Sequence, residues 1–166
     1  SHMGELLIQG KDATQFLEKM FTNSIKKKKE NSAIYTHILN ERGGIIDDMI
    51  AIKMEGGYLC IPNAAKTERV YKWFLEHRYG DVKIVNITAE TFCLALQGPK
   101  SEEILQKLCN FSLKEIKFFQ VKLCAYDNAL HITNKNFFTD NVLLLSRTGY
   151  TGEDGFEIIG PNTLAL

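Results

Sequence analysis

The chain has 166 residues, 45% of them hydrophobic and 24% charged, which suits one substantial core or two small ones and excludes a disordered tail. Lysine plus arginine and aspartate plus glutamate number 20 each, so no global field attracts nucleic acid or an anionic membrane. No apolar run approaches the roughly 18 residues of a membrane-spanning helix, and no charged-then-apolar segment opens the chain as a signal peptide would, so it reads as soluble and intracellular.

Asp12-Ala-Thr-Gln15 has the spacing of a capping box, and Ala13, Phe16, Leu17 and Met20 follow at helical spacing. A helix of about ten residues is therefore expected after Gly10. β-rich segments come next, Ala33 to Leu39, Ile45 to Met54 and Tyr58 to Ile61, with Gly43-Gly44 and Gly56-Gly57 at the turns. This is an antiparallel meander. A second helix is expected from Asn63 to about Tyr79, with Val70, Trp73, Phe74 and His77 on one side, Asn63 as its N-cap and Gly80 as its stop. Val82 to Ile87 reads as a further strand.

Phe92 to Leu96 is a continuous apolar strand, and Gly98-Pro99 opens a helix through Cys109. Short strands and polar loops follow, with Val142 to Leu145 and Phe156 to Ile159 flanking a loop that holds Gly149, Gly152 and Gly155. The expected class is α+β: an antiparallel sheet with helices on one face in residues 1–88, then part of a second, mixed antiparallel domain in 89–166.

The four cysteines form no Cys-x-x-Cys pair, and Cys60, Cys93 and Cys124 lie in apolar runs, where a thiol acts as a small core hydrophobe. A reducing compartment and no metal site are expected. His2, His37, His77 and His131 show neither metal nor triad spacing and are given no chemical role. The run Lys26 to Lys29 reads as a solvated loop whose functional alternative is docking of an acidic partner.

Gly44-Ile-Ile-Asp-Asp-Met-Ile-Ala-Ile-Lys-Met54 carries the strongest functional signal. With a strict period of two, Asp48 falls in the row Ile46, Ile50, Ile52 and Met54, while Asp47 falls in the other and is expected in solvent. A carboxylate in an apolar row must be paired, hydrogen-bonded or turned to a ligand, so Asp48 is the candidate for chemistry. Ser146-Arg-Thr-Gly-Tyr-Thr-Gly-Glu-Asp-Gly-Phe-Glu157 lacks the Gly-Lys-[Ser/Thr] ending of a phosphate loop and a helix after it. It reads as a glycine-rich hairpin loop, or as one that presents Tyr150 and Glu157 to a ligand.

Tyr35 through Asp48, Asn63-Ala-Ala, Gln97-Gly-Pro and Arg147-Thr-Gly-Tyr-Thr-Gly-Glu-Asp-Gly-Phe-Glu157 together resemble the glycine cleavage system T-protein family, the tetrahydrofolate-dependent aminomethyltransferases. The resemblance implies transfer of a one-carbon unit from an aminomethyl-lipoyl H-protein to tetrahydrofolate, with release of ammonia. It implies Asp48 as the essential aspartate, and Met3, Leu7, Tyr35, Ile50, Asn63, Tyr150 and Glu157 as folate-pocket positions, with Glu157 facing the pterin. The lipoyl arm would come from the H-protein, no metal is implied, and the setting would be bacterial cytoplasm or mitochondrial matrix. Ile52 and Phe119 stand where some members carry tyrosine, and the family extends past this chain at both ends, so a fragment is expected. The alternatives are a folate module of a dimethylglycine- or sarcosine-oxidising enzyme or a demethylase, or a non-catalytic interaction module.

Overall fold

In the computed structural model, which describes residues 3–125 and 142–164, the chain divides into two units, Ser1–Ala89 and Glu90–Leu166, each built on one antiparallel sheet. The architecture is α+β. His2 and His131 lie outside the described residues.

The first unit has strands β1 (Leu6–Gln9), β2 (Ser32–Leu39), β3 (Ile45–Met54), β4 (Gly57–Pro62) and β5 (Lys83–Asn86), in the sheet order β2-β3-β4-β1-β5. The meander β2-β3-β4 forms as its alternation requires, and β1 is inserted between β4 and β5. Helices α1 (Ala13–Met20) and α2 (Thr67–Glu76) cover one sheet face. Phe16 and Leu17 of α1 and Val70 and Phe74 of α2, at helical spacing, pack there on Leu6, Ile8, Ile34, Met49, Ala51 and Cys60. The rings of Phe16 and Phe74 meet edge to face at 5.6 Å.

Three local expectations are corrected. Asp12 precedes α1 but makes no side-chain cap; its carboxylate instead accepts from the Asp81 N–H at 2.8 Å, tying the start of α1 to the approach to β5. Asn63 likewise makes no cap. A 3-10 turn, Ala64–Lys66, separates it from α2, and α2 ends at Glu76 instead of Tyr79, where the His77 imidazole contacts the Trp73 carbonyl at 2.8 Å.

Strand β3 is the third case. Its pairing with β2 runs from Ser32 opposite Lys53 to Ile38 opposite Asp47, then jumps to Leu39 opposite Ile45, leaving Ile46 as an extra residue. Such a bulge breaks strict alternation. Ile46 therefore joins Met49 and Ala51 in the helix-covered core, and Asp47 shares that face. Asp47 is only 5% exposed, not solvated as expected, whereas Asp48 is half-buried on the opposite face with Ile50, Ile52 and Met54.

The second unit has β6 (Thr91–Gln97), β7 (Val121–Ala125), β8 (Val142–Ser146) and β9 (Gly155–Pro161), in the order β6-β9-β8-β7, with α3 (Ser101–Gln106). Leu105 of α3 packs with Leu113, Ile116, Leu145 and Phe156. Burial pushes the Cys60 thiol up, and that of Cys124 up to about 11, in keeping with cysteines used as hydrophobes.

Candidate active site

Strand pairing in the first unit brings most of the candidate residues onto the sheet face opposite the helices. Tyr35 of β2 is opposite Ile50 of β3, His37 opposite Asp48, and Ile50 opposite Ile61 of β4. Leu7, opposite Leu59, adds an apolar position on β1, two strands from β3 and therefore about 10 Å away. Ile50, Ile52, Leu59 and Ile61 on this face are all buried.

Asp48 is held at both ends of its carboxylate. Tyr35 Oη donates to Oδ2 at 2.8 Å, and Asn63 Nδ2 approaches Oδ1 at 3.3 Å and donates to the Asp48 carbonyl at 3.0 Å. The carboxylate raises the Tyr35 phenol pKa, first through this hydrogen bond, because ionising the phenol would forfeit the bond and place two anions together. The Tyr35 ring is 40% exposed and meets the His37 imidazole edge-on at 5.2 Å.

Asn63 lies where β4 ends, bridged to Met3, which is buried. Its backbone N–H donates to Asp47 Oδ2 at 3.0 Å and its Nδ2 to Asp47 Oδ1 at 2.8 Å. Met3, Asn63, Asp48, Tyr35 and Ile50 thus form one connected set, with Leu7 beyond it. Sequence reasoning missed Asp47, whose donors come from a residue 16 positions away.

Tyr150 and Glu157 belong to the second unit. Glu157 is on β9 opposite Ser146 of β8 and is 1% exposed. Its carboxylate accepts from the Thr148 hydroxyl, which also contacts the Ser146 hydroxyl at 2.8 Å. Tyr150 is 45% exposed on the loop between the strands. No helix follows this loop, and the chain runs straight into β9.

Arg147 is a second residue that sequence reasoning passed over. Its Nε and one terminal nitrogen grip both oxygens of Asp154 at 2.9 and 2.5 Å, the same terminal nitrogen reaches Glu102 at 2.8 Å, and the other donates to the Ile116 carbonyl at 3.1 Å. The guanidinium also lies over the Phe156 ring. This fork holds the carboxyl of Asp154 below its usual range and raises the Arg147 pKa further. The pair spacing of Arg147 and Asp154, one on each side of the glycine-rich turn, was the available signal.

Among the described residues, no group of three or more histidine, cysteine, aspartate or glutamate side chains is clustered to hold a metal, and no helix is long and apolar enough to cross a membrane.

Comparison with known proteins agrees with the motifs. Residues 1–166 match the family described as GCVT N-terminal domain. An aminomethyltransferase of Caldanaerobacter subterraneus subsp. tengcongensis is 44% identical over 168 residues, covering 100% of this chain and 42% of the relative. One of Thermoanaerobacter sp. (strain X514) is 45% identical over 169 residues, covering 100% and 43%. The crystal structure of glycine cleavage system aminomethyltransferase T from Bartonella henselae superposes with a TM-score of 0.79 at 28% identity, covering 97% of this chain and 40% of that one. The chain spans about two fifths of the length of these relatives. With its whole length matched and its α+β fold shared, the chain belongs to the GCVT N-terminal domain family.

Proposed function

We propose that the chain serves an aminomethyltransferase of the glycine cleavage system, which moves a one-carbon unit from the aminomethyl-lipoyl arm of the H-protein to tetrahydrofolate and releases ammonia. The observation that carries this reading is the Tyr35–Asp48–Asn63 set beside Ile50, in a chain whose relatives are named aminomethyltransferases. A pterin requires apolar walls and a few fixed polar groups, and Ile50 and Leu7 with Tyr35 and Asn63 are of that kind. Met3 pairs with Asn63 through an isolated backbone bridge and is assigned to the same pocket. For the second unit, Glu157, fixed by Thr148, and Tyr150 are the residues we assign to folate.

In the proposed reaction the folate nitrogen must meet an electrophilic methylene while an amine departs. Asp48 is assigned orientation and charge stabilisation, not covalent attack. A carboxylate pinned by donors at both oxygens does not reorganise as charge develops next to it, which is the economical way to lower such a barrier. The lipoyl arm and the H-protein are the implied co-substrate carrier and partner.

Titrating the chain with tetrahydrofolate while following intrinsic fluorescence tests the reading. Saturation is expected in the micromolar to millimolar range. No saturable signal at millimolar ligand would remove folate binding by this chain, and absence of ammonia release by the full-length protein supplied with aminomethylated H-protein would remove the activity.

A further inference from the structure

We infer that Asp47 is a positioning residue: it fixes the orientation of the Asn63 carboxamide, so that Asn63 offers its oxygen, an acceptor, to a ligand N–H or O–H. The inference rests on the proposed folate reading only for the identity of that ligand. Asp47 Oδ1 and Oδ2 accept from Asn63 Nδ2 at 2.8 Å and from the Asn63 backbone N–H at 3.0 Å. Asn63 Nδ2 also turns toward the Asp48 carbonyl at 3.0 Å and Asp48 Oδ1 at 3.3 Å.

Every partner of the amide nitrogen is an acceptor. A flipped carboxamide would set its oxygen against two carboxylates and a carbonyl, so only one orientation satisfies the network. Among the described residues none donates to Asn63 Oδ1, and Asn63 is only half-buried. The acceptor left over therefore lies on the side away from the aspartates.

The burial of Asp47 fits this role better than that of a spare surface charge. At 5% exposure the carboxylate requires donors, and both that it receives come from Asn63. The arrangement follows from the pleat of β3, because Asp47 shares the face of Met49 and Ala51 while Asp48, one residue on, takes the other. One strand thus sends adjacent aspartates to opposite faces, and Asn63 joins them.

The test uses two readouts. In the full-length protein, Asp47→Asn is expected to raise the KM for tetrahydrofolate about tenfold with a much smaller change in kcat. An amide in place of the carboxylate has one acceptor oxygen, so it no longer accepts from both Asn63 groups and the Asn63 side chain loses its fixed orientation. A merely structural role would lower kcat with the folded fraction and leave KM within twofold, and that result overturns the inference.

The second readout needs no variant. In 15N-labelled wild-type chain without ligand, the two Asn63 Nδ2 protons are expected to be protected from solvent exchange; exchange as rapid as that of an exposed asparagine amide overturns the inference. If the wild-type protein shows no saturable binding of tetrahydrofolate, the functional reading fails while the amide measurement still decides the role of Asp47.

Discussion

The Tyr35 phenol reaches diagonally across the β2–β3 pair to donate to Asp48 Oδ2 at 2.8 Å, although its register partner is Ile50. Diagonal contact of this kind lies within the reach of a long aromatic side chain on one sheet face. It ties the ionisation of the phenol to the carboxylate beside it. The phenol pKa is raised, so its contribution to stability is present below the ordinary tyrosine value near pH 10 and is lost as pH rises through the higher folded value. Asp48→Asn is expected to bring the Tyr35 titration back toward that ordinary value. Absorbance of tyrosinate during an alkaline titration, with Tyr35→Phe as the blank, measures it; an unmoved transition would contradict the coupling.

Asp48→Asn in the full-length protein is expected to remove most turnover and to leave tetrahydrofolate affinity within about tenfold, roughly 1.4 kcal/mol. The substitution keeps the shape and one acceptor for Tyr35 while removing the fixed charge. Steady-state kinetics together with equilibrium binding separate the two effects. Retained turnover would strip Asp48 of its assigned role.

What the sequence revealed divides along the range of the interactions. α1, β2, β3, β8 and β9 are written in local periodicity, and the Tyr35, Asp48 and Ile50 relationship follows from pairing two such strands. β1 escaped because four residues just before Gly10 carry too short a pattern to tell strand from helix lead-in. The bulge at Ile46 leaves no mark in the sequence and moves Ile46 alone out of the Asp48 row, whereas Asp47 was expected in water because periodicity does not tell that its row, with Met49 and Ala51, is the one the helices cover. Asp12 and Asn63 both look like caps locally, yet both are claimed by distant partners, Asp81 and Asp47. At both positions a tertiary hydrogen-bond partner takes the side chain in place of the helix terminus.

Arg147→Met is expected to destabilise the second unit by about 1–3 kcal/mol, less than for a fully buried pair because Asp154 is 51% exposed. The pH dependence gives a sharper signature. The Asp154 pKa is depressed chiefly by Arg147, so the pair contributes stability above the ordinary aspartate value near pH 3.9 and loses it as pH falls through the lower folded value. The variant is expected to lose that acid-side slope. Thermal unfolding from pH 2 to 7 compares the two proteins, and parallel curves would mean that the ion pair carries no net energy.

Lys26 to Lys29 are exposed on a loop whose base is fixed, with Ile25 buried and the Glu18 carboxylate accepting from Ser24 Oγ at 2.9 Å, Ile25 N at 2.7 Å and Lys26 N at 2.9 Å. Burial acts to raise the Glu18 pKa, but these donors outweigh it and the value is lowered. A docking role for the loop requires binding of lipoylated H-protein that weakens with salt and is lost when the four lysines are changed to glutamine. Affinity unchanged by that substitution would leave the loop as solvated surface.

Gly10 and Gly43 both have positive φ, at +116° and +78°, and so offer a controlled comparison of backbone strain with steric exclusion. A Cβ at Gly43 meets nothing within 4 Å, whereas one at Gly10 would lie 2.1 Å from the Asp81 carbonyl oxygen. That carbonyl accepts from the Asp12 N–H at 3.2 Å, and the Asp81 N–H is held by the Asp12 carboxylate, so the backbone there has little freedom to retreat. Gly43→Ala is therefore expected to cost about 1–2 kcal/mol from conformation alone. Gly10→Ala is expected to cost more than about 3 kcal/mol, because the strain adds to displacement of the Asp81 backbone that leads into β5. Urea unfolding of both variants tests the distinction. Equal losses would mean that the Asp81 backbone yields freely and that the Asp12–Asp81 tie does not hold α1 in place.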